Sequence, residues 1–309
     1  MDRAALAQVR TIVAHENCAD GTASAILLHD ALPLCEVIFA DYGRDADRLP
    51  ARDGMLFCDF SPPPERVDEF VAAKAIVLDH HRSAREVIAR FGEWGIYADE
   101  EKDPGVSGAT LAFREVWLPL RGDSAERGFA EAFATAAGAR DTWHTASPSW
   151  QAGCVQQSVL TTFGQRYWLT LPLATLATDW ATRYVPMGEQ VLSRKRARLV
   201  DTIRQGYRFT TRRGLRVLAM NSLGSASDAA GEADVDLVIA FDIVVDEGHL
   251  LMRMSLRSHT GFDCAAFATA HGGGGHTRAA GCAIRVGPDD PQPYRLLERL
   301  LADSDAPPR

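Results

Sequence analysis

No apolar run in this 309-residue chain approaches the ~20 residues that cross a bilayer. That excludes an integral helical membrane protein. The start, Met1-Asp2-Arg3-Ala4, lacks the basic segment and long apolar core of a secretion signal, so the expected location is the cytoplasm. Paired cysteines are missing too. The six stand at 18, 35, 58, 154, 264 and 282, with no CxxC. This argues against a Cys-rich zinc site and for a reduced protein without a disulfide frame. Nor is there a basic excess: 33 Lys and Arg face 41 Asp and Glu, a net charge of −8. Proteins that grip long nucleic acid usually carry a basic stripe. The one dense basic run here is Arg194-Lys195-Arg196-Ala197-Arg198, whose simplest reading is a solvated helix face. A small anion held in a local pocket suits this balance better than a long duplex.

What is present is a repeated construction. Ala75-Ile76-Val77-Leu78 ends in Asp79-His80-His81, Thr11-Ile12-Val13-Ala14 ends in His15 with Asp20 close behind, and Met55-Leu56-Phe57-Cys58 ends in Asp59. Apolar runs without polar alternation suit strands covered on both faces of a parallel sheet. Their charged ends belong at the carboxyl edge, where open α/β sheets bind ligands. Any one of these acids or imidazoles alone reads as a loop or capping residue. Three such strand ends together point to hard metal ligands gathered on one edge.

Helical patterns lie between the runs. A helix through Ala25-Ile26-Leu27-Leu28 follows Gly21, and Cys35 to Ala40 is a further strand. Ser61-Pro62 opens a helix to about Ala73. Gly105 to Thr110 opens another through Trp117, its small residues either admitting an anion to backbone N–H groups or permitting close packing. A helix over about 125–137 leads to Asp141, a loop acid in this reading. The expected fold class is α/β in two domains. Residues 1–186 form a doubly wound parallel sheet, 187–206 a linker helix, and 207–309 a smaller mixed-sheet α/β domain.

In the second part, Leu215 to Met220, Val235 to Phe241 and Leu250 to Leu256 read as strands, with a hairpin turn at Glu247-Gly248. Arg257 closes the last. Then comes His271 followed by Gly272-Gly273-Gly274-Gly275-His276-Thr277-Arg278. Consecutive glycines leave their N–H groups open to an oxyanion, to which His276 and Arg278 add donors. The alternative is a flexible linker.

Taken in order, these motifs resemble the DHH phosphoesterase superfamily along almost the whole chain. Asp79-His80-His81 matches the motif that names it. His15 to Ser24 resembles its first motif, Asp59 its second and Asp141 its fourth. Ser255 to Ser258 and Gly272 to Gly281 resemble the DHH-associated C-terminal domain. The nearest branch is that of nano-RNA nucleases, cyclic-dinucleotide phosphodiesterases and phosphoadenosine-phosphate phosphatases. The resemblance implies two metal ions, usually manganese, bridged by Asp59. Asp20, His80 and Asp141 would hold one and His15 would help hold the other. Asp79 and His81 would join Asp59 in catalysis, His81 against the scissile phosphate. Arg257, Gly273, Gly274, Gly275 and His276 would bind the substrate. One position departs: many members have Asp-x-Asp in the first motif, and here Cys18 takes the first place. A thiolate is softer than a carboxylate. Either Cys18 ligates, or that metal is held more weakly, or the site suits another divalent ion, or Cys18 is a thiol that touches no metal.

The expected function is a metal-dependent phosphodiesterase that shortens oligonucleotides from one end. The alternatives are a phosphatase on a small nucleotide, a cyclic-dinucleotide phosphodiesterase, or a binding module that has lost catalysis. Expected partners are a short oligonucleotide or small nucleotide and, as an open alternative, a second copy in a homodimer; a membrane is not among them.

Overall fold

A computed structural model describes the chain apart from residues 42–46, 100, 247, 259, 288–291 and 305–309, and apart from the side chains of 223, 276, 303 and 304. It divides into two compact units, Met1–Ser193 and Arg194–Arg309.

The apolar runs of the first unit have no polar position to turn toward water, and they lie at the centre of its sheet. Strands β1 (Thr11–His15), β2 (Glu36–Ala40), β3 (Met55–Cys58), β4 (Ile76–Asp79) and β5 (Gly95–Tyr97) pair in the order β2-β1-β3-β4-β5, every pairing parallel. Alternate residues serve opposite layers, as the period of two requires. Ile12, Leu56, Cys58, Ile76 and Leu78 join one core with helix α1 (Ala19–Ala31). Val13, Met55, Phe57 and Val77 join the other with Phe60, Val67, Phe70 and Phe91. The sheet is therefore doubly wound, as expected. Ala14 pairs with Cys58, and Cys58 with Leu78. His15, Asp59 and Asp79, one step on, leave the sheet along one edge.

Two local expectations change. Ser61 opens no helix: three prolines in a row hold the residues before them extended, and helix α2 (Val67–Ala72) starts only after a 3-10 turn at Pro64–Arg66. The helix before Asp141, α3 (Arg127–Asp141), runs four residues further than expected, so Asp141 is helical rather than a loop acid. Beyond β5 the described part of the first unit has no strand. It is built from short helical turns over Gly108–Arg121, then α3, α4 (Trp150–Phe163) and further turns to Tyr184. These cover one face of the sheet and bury Trp117, Trp168 and Tyr184.

Helix α5 (Val185–Gln205) contains the division between the units. Its run Arg194-Lys195-Arg196-Ala197-Arg198 is exposed, while Leu199 is buried.

The second unit holds a mixed sheet of β6 (Tyr207–Thr210), β7 (Arg216–Asn221), β8 (Leu237–Asp246), β9 (His249–Ser258), β10 (Gly274–His276) and β11 (Ala279–Arg285), ordered β10-β11-β9-β8-β7-β6. Only β7 and β8 pair in parallel. Met252, Met254 and Leu256 of β9 pack with α6 (Cys264–Ala270) and α7 (Pro293–Ser304). The turn between β8 and β9 has Gly248 at φ 79°; Glu247 lies outside the described residues. The glycine run does not form an open loop throughout. Gly274 and Gly275 belong to an edge strand paired with Gly281 and Ala280. A Cβ on Gly273 would overlap the Gly281 carbonyl and come within 2.6 Å of Cys282 Cβ, so this glycine also permits the close pairing.

Trp168 gives the helical layer its test. It is fully buried and its Nε1–H donates to the Leu160 carbonyl at 2.9 Å. Trp168→Ala should cost about 3–5 kcal/mol in urea unfolding followed by circular dichroism. A loss below about 1 kcal/mol would contradict its place in the core.

Candidate metal centre

Five elements carry the motif residues to one edge of the first sheet. His15 ends β1. Cys18 is the N-cap of α1 and Asp20 lies in its first turn. Asp59 follows β3, Asp79 ends β4 with His80 and His81 behind, and Asp141 ends α3. Their donor atoms form three groups, each within 4.8 Å: Asp59, Asp79, His80 and His81; His15, Cys18 and Asp59; and Asp20, His80 and Asp141. Asp59 belongs to two of these groups, and His80 links the first to the third.

Asp59 is 1% exposed and its backbone is left-handed at φ 60°. The strain is held by its N–H, which donates to the Leu78 carbonyl at 3.0 Å and so extends the sheet pairing by one residue. Its Oδ1 lies 3.2 Å from His80 Nε2. Its Oδ2 is buried without a hydrogen-bond partner, 3.7 Å from His15 Nδ1. Desolvation opposes ionisation there. The nearby imidazole of His15, the His80 contact and the charge of His81 overcome it and hold the carboxyl well below its usual range.

Asp79 has a different environment. Oδ1 accepts the N–H groups of His80 at 2.7 Å and His81 at 3.0 Å, and sits 2.6 Å from His81 Nδ1. Oδ2 accepts the Ser61 hydroxyl at 2.6 Å. With both oxygens engaged, Asp79 orients His81. The proton between Nδ1 and this carboxylate belongs on the imidazole, by the pKa order of the two groups. Burial works against imidazolium in both histidines. Asp79 overcomes it at His81, pushed up to about 9, and Asp59 with Asp141 at His80, pushed up to about 10.

Asp20 is the other buried acid. Ser107 donates its hydroxyl to Oδ1 at 2.6 Å, and the Ala109 N–H lies 3.3 Å from both oxygens. The small-residue turn thus does admit an anion to a helix start, and that anion is the chain's own carboxylate. Desolvation and the charges of Asp59 and Asp141 still push Asp20 well up. The same causes push up the Cys18 thiol, which has Asp59, Asp141 and Asp20 around it. Asp141, desolvated and beside Asp59, is also raised, and its Oδ2 lies 3.4 Å from His80 Nε2.

These residues fit divalent cations. Carboxylates and imidazoles are the donors such ions take. Positive charge would relieve the crowding that pushes Asp20 and Asp141 up, and the orphaned Asp59 oxygen belongs to this cluster. Gly108 makes the crowding feasible: a Cβ there would overlap the Asp59 Cβ and lie 2.8 Å from Asp20 Oδ2.

The candidates of the second unit lie apart from this cluster in sequence and in unit. Arg257 on β9 donates to Ser227 Oγ at 2.8 Å and to the Leu256 carbonyl at 2.8 Å. Gly273 to Gly275 lead into and form β10, and the His276 side chain lies outside the described residues. Sequence reasoning missed Ser61, Ser107, Gly108 and Gln165 as shapers of the site. Only Ser107 carried a signal, as the residue before a small-residue helix start. A recess of ≈ 560 Å³ lined by Arg3, Arg121, Asp123 and Arg127 holds no cluster residue.

No family model matches the chain, and no curated protein matches it by sequence. Solved structures do. The DHH domain of a protein described as a member of a family of ribosomal proteins is 13% identical with a TM-score of 0.63, over 98% of this chain and 88% of that one. The fold is that of the DHH-domain proteins. An exopolyphosphatase-related protein from Bacteroides fragilis is 15% identical with a TM-score of 0.57, over 98% and 96%. The pGpG-specific phosphodiesterase PggH from Vibrio cholerae is 12% identical with a TM-score of 0.54, over 96% and 100%. Among the described residues no helix is long and apolar enough to cross a membrane.

Gly108→Ala tests the crowding. With the Cβ pressed between Asp59 and Asp20, calorimetric Mn²⁺ affinity should fall about tenfold or more while circular dichroism is unchanged. Wild-type affinity in this variant would contradict the assigned geometry.

Proposed function

We propose that the chain is a DHH-type phosphoesterase that uses divalent metal ions to hydrolyse short oligonucleotides from one end. The observation that carries this reading is Asp59: a buried, strained carboxylate with one oxygen unpartnered, shared by two ligand groups. A carboxylate so shared suits two adjacent ions. His15 and Cys18 would complete one set and His80 the other, to which the resemblance adds Asp20 and Asp141, the two acids grouped with His80. Cys18 would bind as thiolate, since a metal deprotonates a coordinating thiol that its surroundings otherwise keep neutral.

A pair of divalent ions held there, manganese by the resemblance, would supply activation of water at neutral pH and relief for charge on the phosphorus oxygens. The remaining work falls to the chain. His81 holds its Nδ1 proton against Asp79, which leaves Nε2–H to donate to a phosphate oxygen. Asp79 is in this account a positioning residue rather than a ligand. Asp20, fixed by Ser107 and Ala109, presents its carboxylate without rotamer freedom. In the second unit, Arg257, the glycines and His276 are our candidates for binding a substrate phosphate or nucleotide.

The short substrate is supported by the net charge of −8, unsuited to a long anionic strand, and by the likeness to a pGpG phosphodiesterase. A binding module without catalysis has no chemical need for so many costly buried acids and imidazoles.

The test is a Mn²⁺-dependent assay on end-labelled RNA and DNA oligomers of about two to ten nucleotides, with phosphoadenosine phosphate, cyclic dinucleotides and pyrophosphate alongside. The reading expects stepwise shortening of oligomers to mononucleotides. Phosphate release from the small substrates alone would move the chain to the phosphatase alternative. Asp59→Asn should lower kcat by a factor of about 10³ or more, since it removes charge at the shared position. Turnover at the wild-type rate in that variant would sink the metal assignment.

A further inference from the structure

A recess of ≈ 390 Å³ in the first unit adjoins the metal cluster and is not used by the chemistry above. One wall is the loop Glu16-Asn17-Cys18 with Thr22; the other is the end of α4 and the turn after it, from Leu160 to Tyr167, with Phe39 of β2 also lining it. Cys18 belongs both to this recess and to the ligand group with His15 and Asp59. A phosphate seated at the cluster therefore has its attached sugar and base within reach of the recess.

The lining has the chemistry of a ring platform. Phe163 is 39% exposed, although phenylalanine belongs with the core. Its ring packs against two others. Tyr167 stacks on it with centroids 4.9 Å apart and planes 25° from parallel, and Trp168 meets it edge-on at 5.6 Å. An aromatic side chain braced on two sides and open on another is a stacking surface rather than a frayed helix end. Arg166 also lines the recess.

The side-chain amide of Gln165 in the recess is already employed. Gln165 donates through Nε2 to the His15 carbonyl at 2.9 Å and to Thr22 Oγ1 at 3.0 Å, and its Oε1 accepts the Asn17 N–H at 3.0 Å. These bonds hold the ligand-bearing loop, including left-handed Asn17 at φ 55°. The amide that could have read the edge of a base is thus committed to the loop.

Resting on the phosphoesterase reading, we propose that this recess is a nucleobase subsite that stacks the substrate's base on Phe163 without selecting its identity. Stacking is sequence-tolerant because every base has a π-face. The subsite accounts for recognition of nucleotides over base-free phosphoesters within the first unit.

The experiment is calorimetric binding of adenosine 5′-monophosphate and of ribose 5-phosphate to the Mn²⁺-loaded full chain. The wild type should prefer the adenine ligand by about 5- to 150-fold. Phe163→Ala, a surface change, should close that gap, and Phe163→Trp should keep it. Equal affinity of the wild type for the two ligands would overturn the subsite, as would a gap left intact in Phe163→Ala. Oligomer hydrolysis by the same preparation separates the outcomes. Turnover without the base preference removes only the subsite, whereas no turnover with any divalent ion removes the phosphoesterase reading.

Discussion

A carboxylate withdrawn from water at the tip of a central strand is the constraint around which the first unit is built. Leaving one of its oxygens unpaired costs about 1–3 kcal/mol, and holding a non-glycine residue left-handed costs a similar amount. Asp59 bears both. Much of its surroundings offsets these costs. The Leu78 carbonyl takes its N–H, His80 and His15 approach its oxygens, and Gly108 withholds a side chain so that the helix start can close over it. The four acids nearest the centre, Asp20, Asp59, Asp79 and Asp141, differ in how they are neutralised. Asp79 is fully hydrogen-bonded and Asp59 leans on imidazoles, while Asp20 and Asp141 are driven toward holding protons. Divalent cations bound there would relieve that crowding and so stabilise the site.

The layout follows from the parallel sheet. Three strands buried on both faces must end together, because their register places Ala14, Cys58 and Leu78 side by side. The next residue of each emerges at one edge. Side chains from α1, the Gly108 turn and α3 then reach the same place from above the sheet. The ligand groups thus rest on a sheet edge and helix ends rather than on long loops, which is how a preorganised site is held.

Much of this was legible in the sequence. Period-free apolar runs ending in Asp and His identified β1, β3 and β4 and the edge that carries the cluster, because burial on both faces leaves no other pattern. The mixed second sheet was legible through β7, β8 and β9. What escaped has physical reasons. The proline run after Ser61 carries two opposing signals, a helix cap and an extended-backbone restraint, and the second prevailed. The glycine strand β10 has no side chains from which to read alternation. Asp141 reads as a loop acid because its helix is rich in alanine, whose small apolar side chain marks no face clearly. Gln165 was beyond reach altogether: its role comes from the His15–Cys18 loop, about 150 positions away.

The account stands or falls on Asp59 being shared. Electron paramagnetic resonance of the protein titrated with Mn²⁺ reads this directly, independent of any substrate. If Asp59 is shared, two ions should bind per chain and the spectrum should become the multiline pattern of an exchange-coupled pair. A single bound ion, or two ions giving only the six-line signal of isolated Mn²⁺, would contradict it.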